Sequence, residues 1–78
     1  MEITNICAQD IKLPTSASKA PDSVLQDMAS EIKADGWPKG NELGVKDLGD
    51  GTYEVHASYS WFRAGLLAGL QEIPCVIY

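Results

Sequence analysis

From Asp50 to Tyr78 the chain is patterned as a strand, a helix and a second strand in unbroken succession. Tyr53, Val55 and Ala57 alternate with Glu54 and His56, the period of a strand with one apolar and one polar face. Ser58 to Ala68 then follows a helical pattern, in which Trp61, Phe62, Leu66, Leu67 and Ala68 nearly encircle the axis. A helix apolar on so many sides packs against a sheet and against something else. Gly65 inside it costs about 0.8–1 kcal/mol relative to alanine, which points to close packing against a neighbouring backbone. Gly69 and Leu70 form a C-terminal cap with its hydrophobic contact, and Ile73-Pro74-Cys75-Val76-Ile77-Tyr78 reads as the next strand. The junction before the helix presents free backbone N–H groups at a positive helix end, a natural place for an anion.

Upstream, Ile3 to Ala8 is expected to form a first strand, and Asp10 to Lys19, with Pro14, Ser16 and Ser18, a loop. Pro21-Asp22-Ser23 starts a helix with Asp22 or Ser23 as N-cap. Val24, Met28 and Ile32, with Leu25 and Ala29 beside them, give it one apolar stripe. Gly36 ends it as a left-handed cap. Trp37 to Asn41 is a turn-rich connector, Glu42 to Leu48 a short strand, and Gly49-Asp50-Gly51 the turn of a hairpin into Tyr53. The pattern predicts a small α+β domain, two main helices on a mixed sheet of about four strands.

Seventy-eight residues make a single domain, 1–78, with a thin core. No run of about 18 apolar residues exists, so no membrane span is expected. The opening Met1-Glu2-Ile3-Thr4-Asn5 has neither the basic stretch nor the apolar core of a signal peptide, and a cytoplasmic location is the expectation. The net charge is −5 and the cations Lys12, Lys19, Lys33, Lys39, Lys46 and Arg63 are scattered in sequence. An acidic chain without a basic stripe repels DNA phosphates, so direct nucleic-acid binding is not expected. Cys7 and Cys75 have no neighbours at metal-ligand spacing, and His56 is the only histidine. Both thiols read as small apolar side chains within strands. If their strands are adjacent a bridge is conceivable, but a reducing cytoplasm disfavours it. The acidic residues are spread along the chain and show no metal-binding loop spacing.

The run from Tyr53-Glu54-Val55-His56-Ala57 through Ser58-Tyr59-Ser60-Trp61-Phe62-Arg63-Ala64 to Leu67-Ala68-Gly69-Leu70 resembles the arginine-box region of the ParB N-terminal domain. That family shows a tyrosine, an acidic residue and a short apolar strand. Alanine-glycine-glutamate-arginine-arginine, an aromatic, arginine-alanine and leucine-alanine-glycine-leucine follow. Ile73 to Ile77 resembles its closing strand and Leu25 to Gly36 its helix. The likeness is strongest over 50–78 and looser over 1–21. It does not extend to the helix-turn-helix module that reads DNA in full-length ParB proteins. The resemblance implies a ParB/sulfiredoxin-like α+β fold. It also implies a role in chromosome or plasmid partition, where the arginine box holds CTP with magnesium; some relatives are nucleases.

The departures lie in the box itself. The family glycine is Ser58, its glutamate is Tyr59, and its first two arginines are Ser60 and Trp61; only the third survives, as Arg63. Each charge-assisted contact is worth about 1.5–3 kcal/mol, so losing two guanidinium groups removes several orders of magnitude of triphosphate affinity. The sulfiredoxin branch needs a catalytic cysteine at this turn, where this chain has Tyr59.

The expected reading is therefore a non-catalytic binding or regulatory domain. It contacts a protein partner, or a second copy of itself, through the aromatic residues Tyr59, Trp61 and Phe62, with Trp37. No catalytic residue, metal or cofactor is expected on this reading. Core packing claims at least one of these rings. The alternative is a CTP- or phosphate-binding enzyme, CTPase or nuclease-like, in DNA partition or plasmid maintenance. It would use Ser58, Ser60, Arg63 and the helix N-terminus, with magnesium. Helix capping accounts for either serine without a ligand. Arg63, a cation near the positive end of a helix, calls for a carboxylate or an anion. His56 as a general base would need Glu54 or Ser58 within reach; a surface histidine is the plainer reading.

Overall fold

The structure is a computed structural model describing residues 3–17 and 19–78. Met1, Glu2 and Ser18 of the expected loop lie outside the described residues. Eight elements follow in order. Strand β1 (Thr4–Cys7) leads through a 3-10 turn (Ala8–Asp10) into β2 (Ile11–Lys12). Helix α1 (Asp22–Asp35), β3 (Leu43–Asp47), β4 (Tyr53–Ala57), α2 (Tyr59–Leu67) and β5 (Glu72–Ile77) complete the chain. No helix among the described residues is long and apolar enough to cross a membrane.

The five strands form one sheet in the order β1-β5-β3-β4-β2. β3 and β4 are the expected antiparallel hairpin, with Val45 opposite Val55 and Lys46 opposite Glu54. β5 returns parallel to β3, and β1 pairs antiparallel with β5. The fifth strand is β2, two residues long and parallel to β4, inside the stretch expected to be loop. A two-residue strand carries no periodicity, so only its pairing partner defines it.

Alternation places Ile6, Ile11, Leu43, Val45, Val55, Ile73 and Cys75 on one face of the sheet, and Phe62 of α2 completes their cluster. A second cluster joins Ala29 and Ile32 of α1 to Ala64 of α2, with Trp37 and Trp61 packed against it. Helix α2 thus packs against both the sheet and α1, but Leu66 and Leu67 of its apolar pattern stay exposed, at 47% and 54%. On the polar strand positions Glu54 has Lys46 and Lys12 as its registered neighbours on β3 and β2.

Capping differs in detail from expectation. Pro21, not Asp22 or Ser23, is the N-cap of α1, and its carbonyl accepts the N–H groups of Val24 at 3.0 Å and Leu25 at 3.1 Å. Proline is set at the φ this entry needs. Asp22 falls inside the first turn and pairs with Lys19 at 3.5 Å. At the end of α2 the cap forms as expected. Gly69, at φ 79°, donates to the Leu66 carbonyl, and the Leu70 N–H reaches back to Gly65 at 3.1 Å. Gly65 admits a side chain rather than a backbone: a Cβ there would lie 3.0 Å from Cζ3 of Trp37 and 3.4 Å from Cδ1 of Ile73.

Strands β1 and β5 are adjacent, yet Cys7 faces Glu72 and Cys75 faces Thr4. Three positions of register separate the thiols by about 10 Å along the strands, beyond the reach of a disulfide, and both are free.

Candidate functional site

The junction between β4 and α2 turns on Ser58, which sits at φ 66°, ψ 41°. It is the only non-glycine residue with positive φ among the described residues. Left-handed backbone is costly for a residue bearing a Cβ, and this is the position where the resembled family has glycine. The expected hydroxyl cap is absent: Ser58 makes no side-chain cap bond, and its carbonyl accepts the Phe62 N–H at 3.1 Å as the first helical bond. The helix start carries no acidic residue.

The helical period then distributes the site residues over different sides of α2. Phe62 turns into the sheet core and is 3% exposed. It is removed from the expected contact surface, because the sheet cluster needs a large side chain from the covering helix. Tyr59 and Trp61 are half-buried against the same cluster. Trp61 also reaches Trp37, with ring centroids 6.1 Å apart and planes tilted by 56°, a favourable aromatic geometry. The Trp37 indole N–H donates to the Asn41 carbonyl at 3.1 Å, which fixes the ring within the connector. The structure therefore brings Trp37 and Trp61 together from segments 24 positions apart.

Ser60 and Arg63 lie three positions apart, hence on one side of the helix. Arg63 lines a surface groove with Leu13, Lys19, Asp22, Leu25, Leu66 and Leu67. The ion pairs among the described residues are Lys19–Asp22 and His56–Glu54, so Arg63 has no carboxylate partner there. Its Nε is shielded from solvent without a hydrogen-bond acceptor among the described residues. Leu13 and Lys19 join this groove from a loop whose sequence carries no signal for it.

His56 pairs with Glu54, Nε2 to Oε1 at 2.9 Å, as expected for residues two apart on one strand face. Among the described residues no three His, Cys, Asp or Glu side chains converge into a group that could hold a metal. Cys75 is fully buried on β5, and burial pushes its thiol up to about 11. Such a thiol is inert at neutral pH.

These elements in this order define the ParB/sulfiredoxin-like fold. Among solved structures, the C-terminally truncated chromosome-partitioning protein ParB from Caulobacter crescentus, complexed with CTP-gamma-S, superposes with a TM-score of 0.87 at 18% identity. It is matched over 100% of this chain and 44% of that one. The same truncated ParB complexed to the centromeric parS site gives 0.83 at 19% identity, over 96% of this chain and 40% of that one. Sulfiredoxin from Arabidopsis thaliana gives 0.80 at 21% identity, over 100% and 85%. This chain thus spans less than half the length of the ParB chains it resembles. No protein-family model matches the sequence, and no curated protein sequence matches it at a significant level.

Proposed function

We propose that this chain is a non-catalytic binding or regulatory domain on a ParB/sulfiredoxin-like scaffold, which contacts a protein partner or a second copy of itself. The observation that carries this reading is the Trp61–Trp37 pair. A tryptophan stands where the resembled family has the second arginine of its nucleotide box, and it is packed against another indole with both rings still partly exposed. The two rings form an amphipathic contact surface of the kind that anchors protein interfaces. The loss of two arginines removes the charge that a triphosphate would need.

A second reading is supported by Arg63, a cation in an acidic protein with no carboxylate partner among the described residues. With Lys19 nearby, and Ser58 and Ser60 at the helix start, it would serve a phosphate-bearing ligand such as CTP with magnesium. That belongs to a CTPase or nuclease-like role in partition or plasmid maintenance. Calorimetric titration with CTP and ATP, each with magnesium, separates the two readings. The first expects no saturable binding below about 100 μM; binding in that range overturns it. It further expects Trp61→Ala to keep its fold while losing self-association or partner capture. Sedimentation showing a monomer at all concentrations removes the self-contact version.

A further inference from the structure

Trp37 also lines a pocket of about 240 Å³, together with Ile3, Pro38, Lys39, Glu42 and Pro74. It is smaller than the roughly 300–1,000 Å³ of small-molecule and cofactor sites, and matches one long side chain. Its walls are an indole, two prolines and an isoleucine. The polar groups on them are Glu42 and Lys39. Oε2 of Glu42 is cut off from solvent and accepts no hydrogen bond among the described residues. Lys39 does not form an ion pair with it. The connector is held in place, since the Trp37 indole N–H is bonded to the carbonyl of Asn41, the residue next to Glu42.

Glu42 is half-buried, with one carboxylate oxygen shielded and no ion-pair partner among the described residues, and the group that complements such a carboxylate is a cation. An indole wall attracts the same group through its π face. Proline and isoleucine walls accommodate the aliphatic stem that carries the charge in lysine and arginine. The chain's net charge of −5 draws basic partners toward it. We infer that this pocket receives a basic side chain, arginine or lysine, of a protein partner, with Glu42 as the counter-ion and Trp37 as the stacking wall. The inference rests on the protein-contact reading above and supplies the partner's chemistry at that surface.

The test is an NMR titration of the 15N-labelled chain, read at the Trp37 indole N–H and assigned with a Trp61→Phe variant. The probe is acetyl-Gly-Arg-Gly-amide. Controls carry lysine, norleucine or glutamate at the centre, and spermidine serves as a free polyamine. The arginine and lysine peptides are expected to shift the Trp37 signal saturably, with Kd about 1 mM for a single side chain. The norleucine and glutamate peptides should leave it in place. Glu42→Gln should weaken binding at least tenfold with a dispersed spectrum, and Lys39→Ala should tighten it severalfold. An unshifted Trp37 signal, equal response to norleucine, or unchanged affinity in Glu42→Gln overturns the inference. Spermidine binding more tightly than both basic peptides overturns the protein source. Should Glu42→Gln unfold, the norleucine comparison on the unaltered chain still decides. The peptide titration reads the pocket alone. Its failure while Trp61→Ala still abolishes association removes the pocket and leaves the contact reading, whereas association unaffected by Trp61→Ala removes the contact reading itself.

Discussion

Ser58 and Cys75 show how single positions record the local demands of this fold. Ser58 carries a Cβ in left-handed backbone, at a cost of about 1–2 kcal/mol for an L-residue. Glycine relieves that cost but loses about 0.5–1 kcal/mol through the entropy of the unfolded chain. Ser58→Gly is therefore expected to stabilise by roughly 0.5–1 kcal/mol, read as a higher urea midpoint at unchanged slope. Ser58→Val should lower the midpoint, since β-branching suits this region worst. At Cys75 the folded chain holds the thiol protonated to about 11, against 9.0 in the unfolded chain. The unfolded state thus loses its proton first. This contribution is fully present below pH 9 and is lost as pH rises toward 11, by roughly 3 kcal/mol at about 1.4 kcal/mol per pH unit. Iodoacetamide at neutral pH should label the half-buried Cys7 in the folded protein, and Cys75 only after denaturation. Equal labelling of both in the folded state would contradict the burial of β5.

Two elements owe their form to contacts that a propensity scale does not contain. In α2, Gly65 is a poor helix residue, and alanine in an exposed helix would gain about 0.8–1 kcal/mol. Here the added methyl would press on Trp37 and Ile73. Trp37 is tethered through its indole N–H and cannot easily swing away. Gly65→Ala is expected to forfeit the propensity gain and to destabilise by about 1 kcal/mol, with a change in tryptophan fluorescence as the Trp37–Trp61 pair shifts. A stabilised variant would mean that the connector yields. In the β3–β4 turn the Asp47 carboxylate accepts the Gly49 N–H at 2.8 Å, and Asp50 accepts both the N–H and the hydroxyl of Thr52. The Thr52 bonds hold the Asp50 carboxyl below its ordinary range. Its contribution is present above the unfolded carboxyl pKa and lost as pH falls below it. Acid titration of wild type and Asp50→Ala should converge at low pH and separate above about pH 4, the ordinary aspartate range.

For the molecule as a whole, charge and scaffold pull in different directions. The fold is shared with a protein solved on a centromeric DNA site, while this chain carries a net charge of −5. Non-specific DNA affinity comes from phosphate neutralisation, and several of the described cations sit beside carboxylates: Lys46 and Lys12 flank Glu54, and Lys19, in the groove it shares with Arg63, pairs with Asp22. The expected outcome of a gel-shift assay with random-sequence duplex at about 50 mM salt is no retarded complex at micromolar protein. A salt-sensitive complex would show that the scattered cations act together.

Much of this architecture was already legible along the chain. The hairpin turn at Gly49-Asp50-Gly51, the Leu25-Ala29-Ile32 part of the α1 stripe (Val24 is 44% exposed), the strand–helix–strand run from Tyr53 and the cap at Gly69 and Leu70 are all local. Neighbours within a few residues set the dihedrals and periodicity that define them. The departures from the arginine box were legible too, because they are a matter of residue identity. Other features required the folded chain. The strand at Ile11–Lys12, the parallel pairing of β3 with β5 and the register that parts Cys7 from Cys75 are settled by partners far away in sequence. The same holds for Phe62 in the core, Trp61 against Trp37, Arg63 without a carboxylate among the described residues and the shielded Oε2 of Glu42. Composition names the side chains that form a contact or carry a charge, but where each one points depends on which distant segment packs beside it.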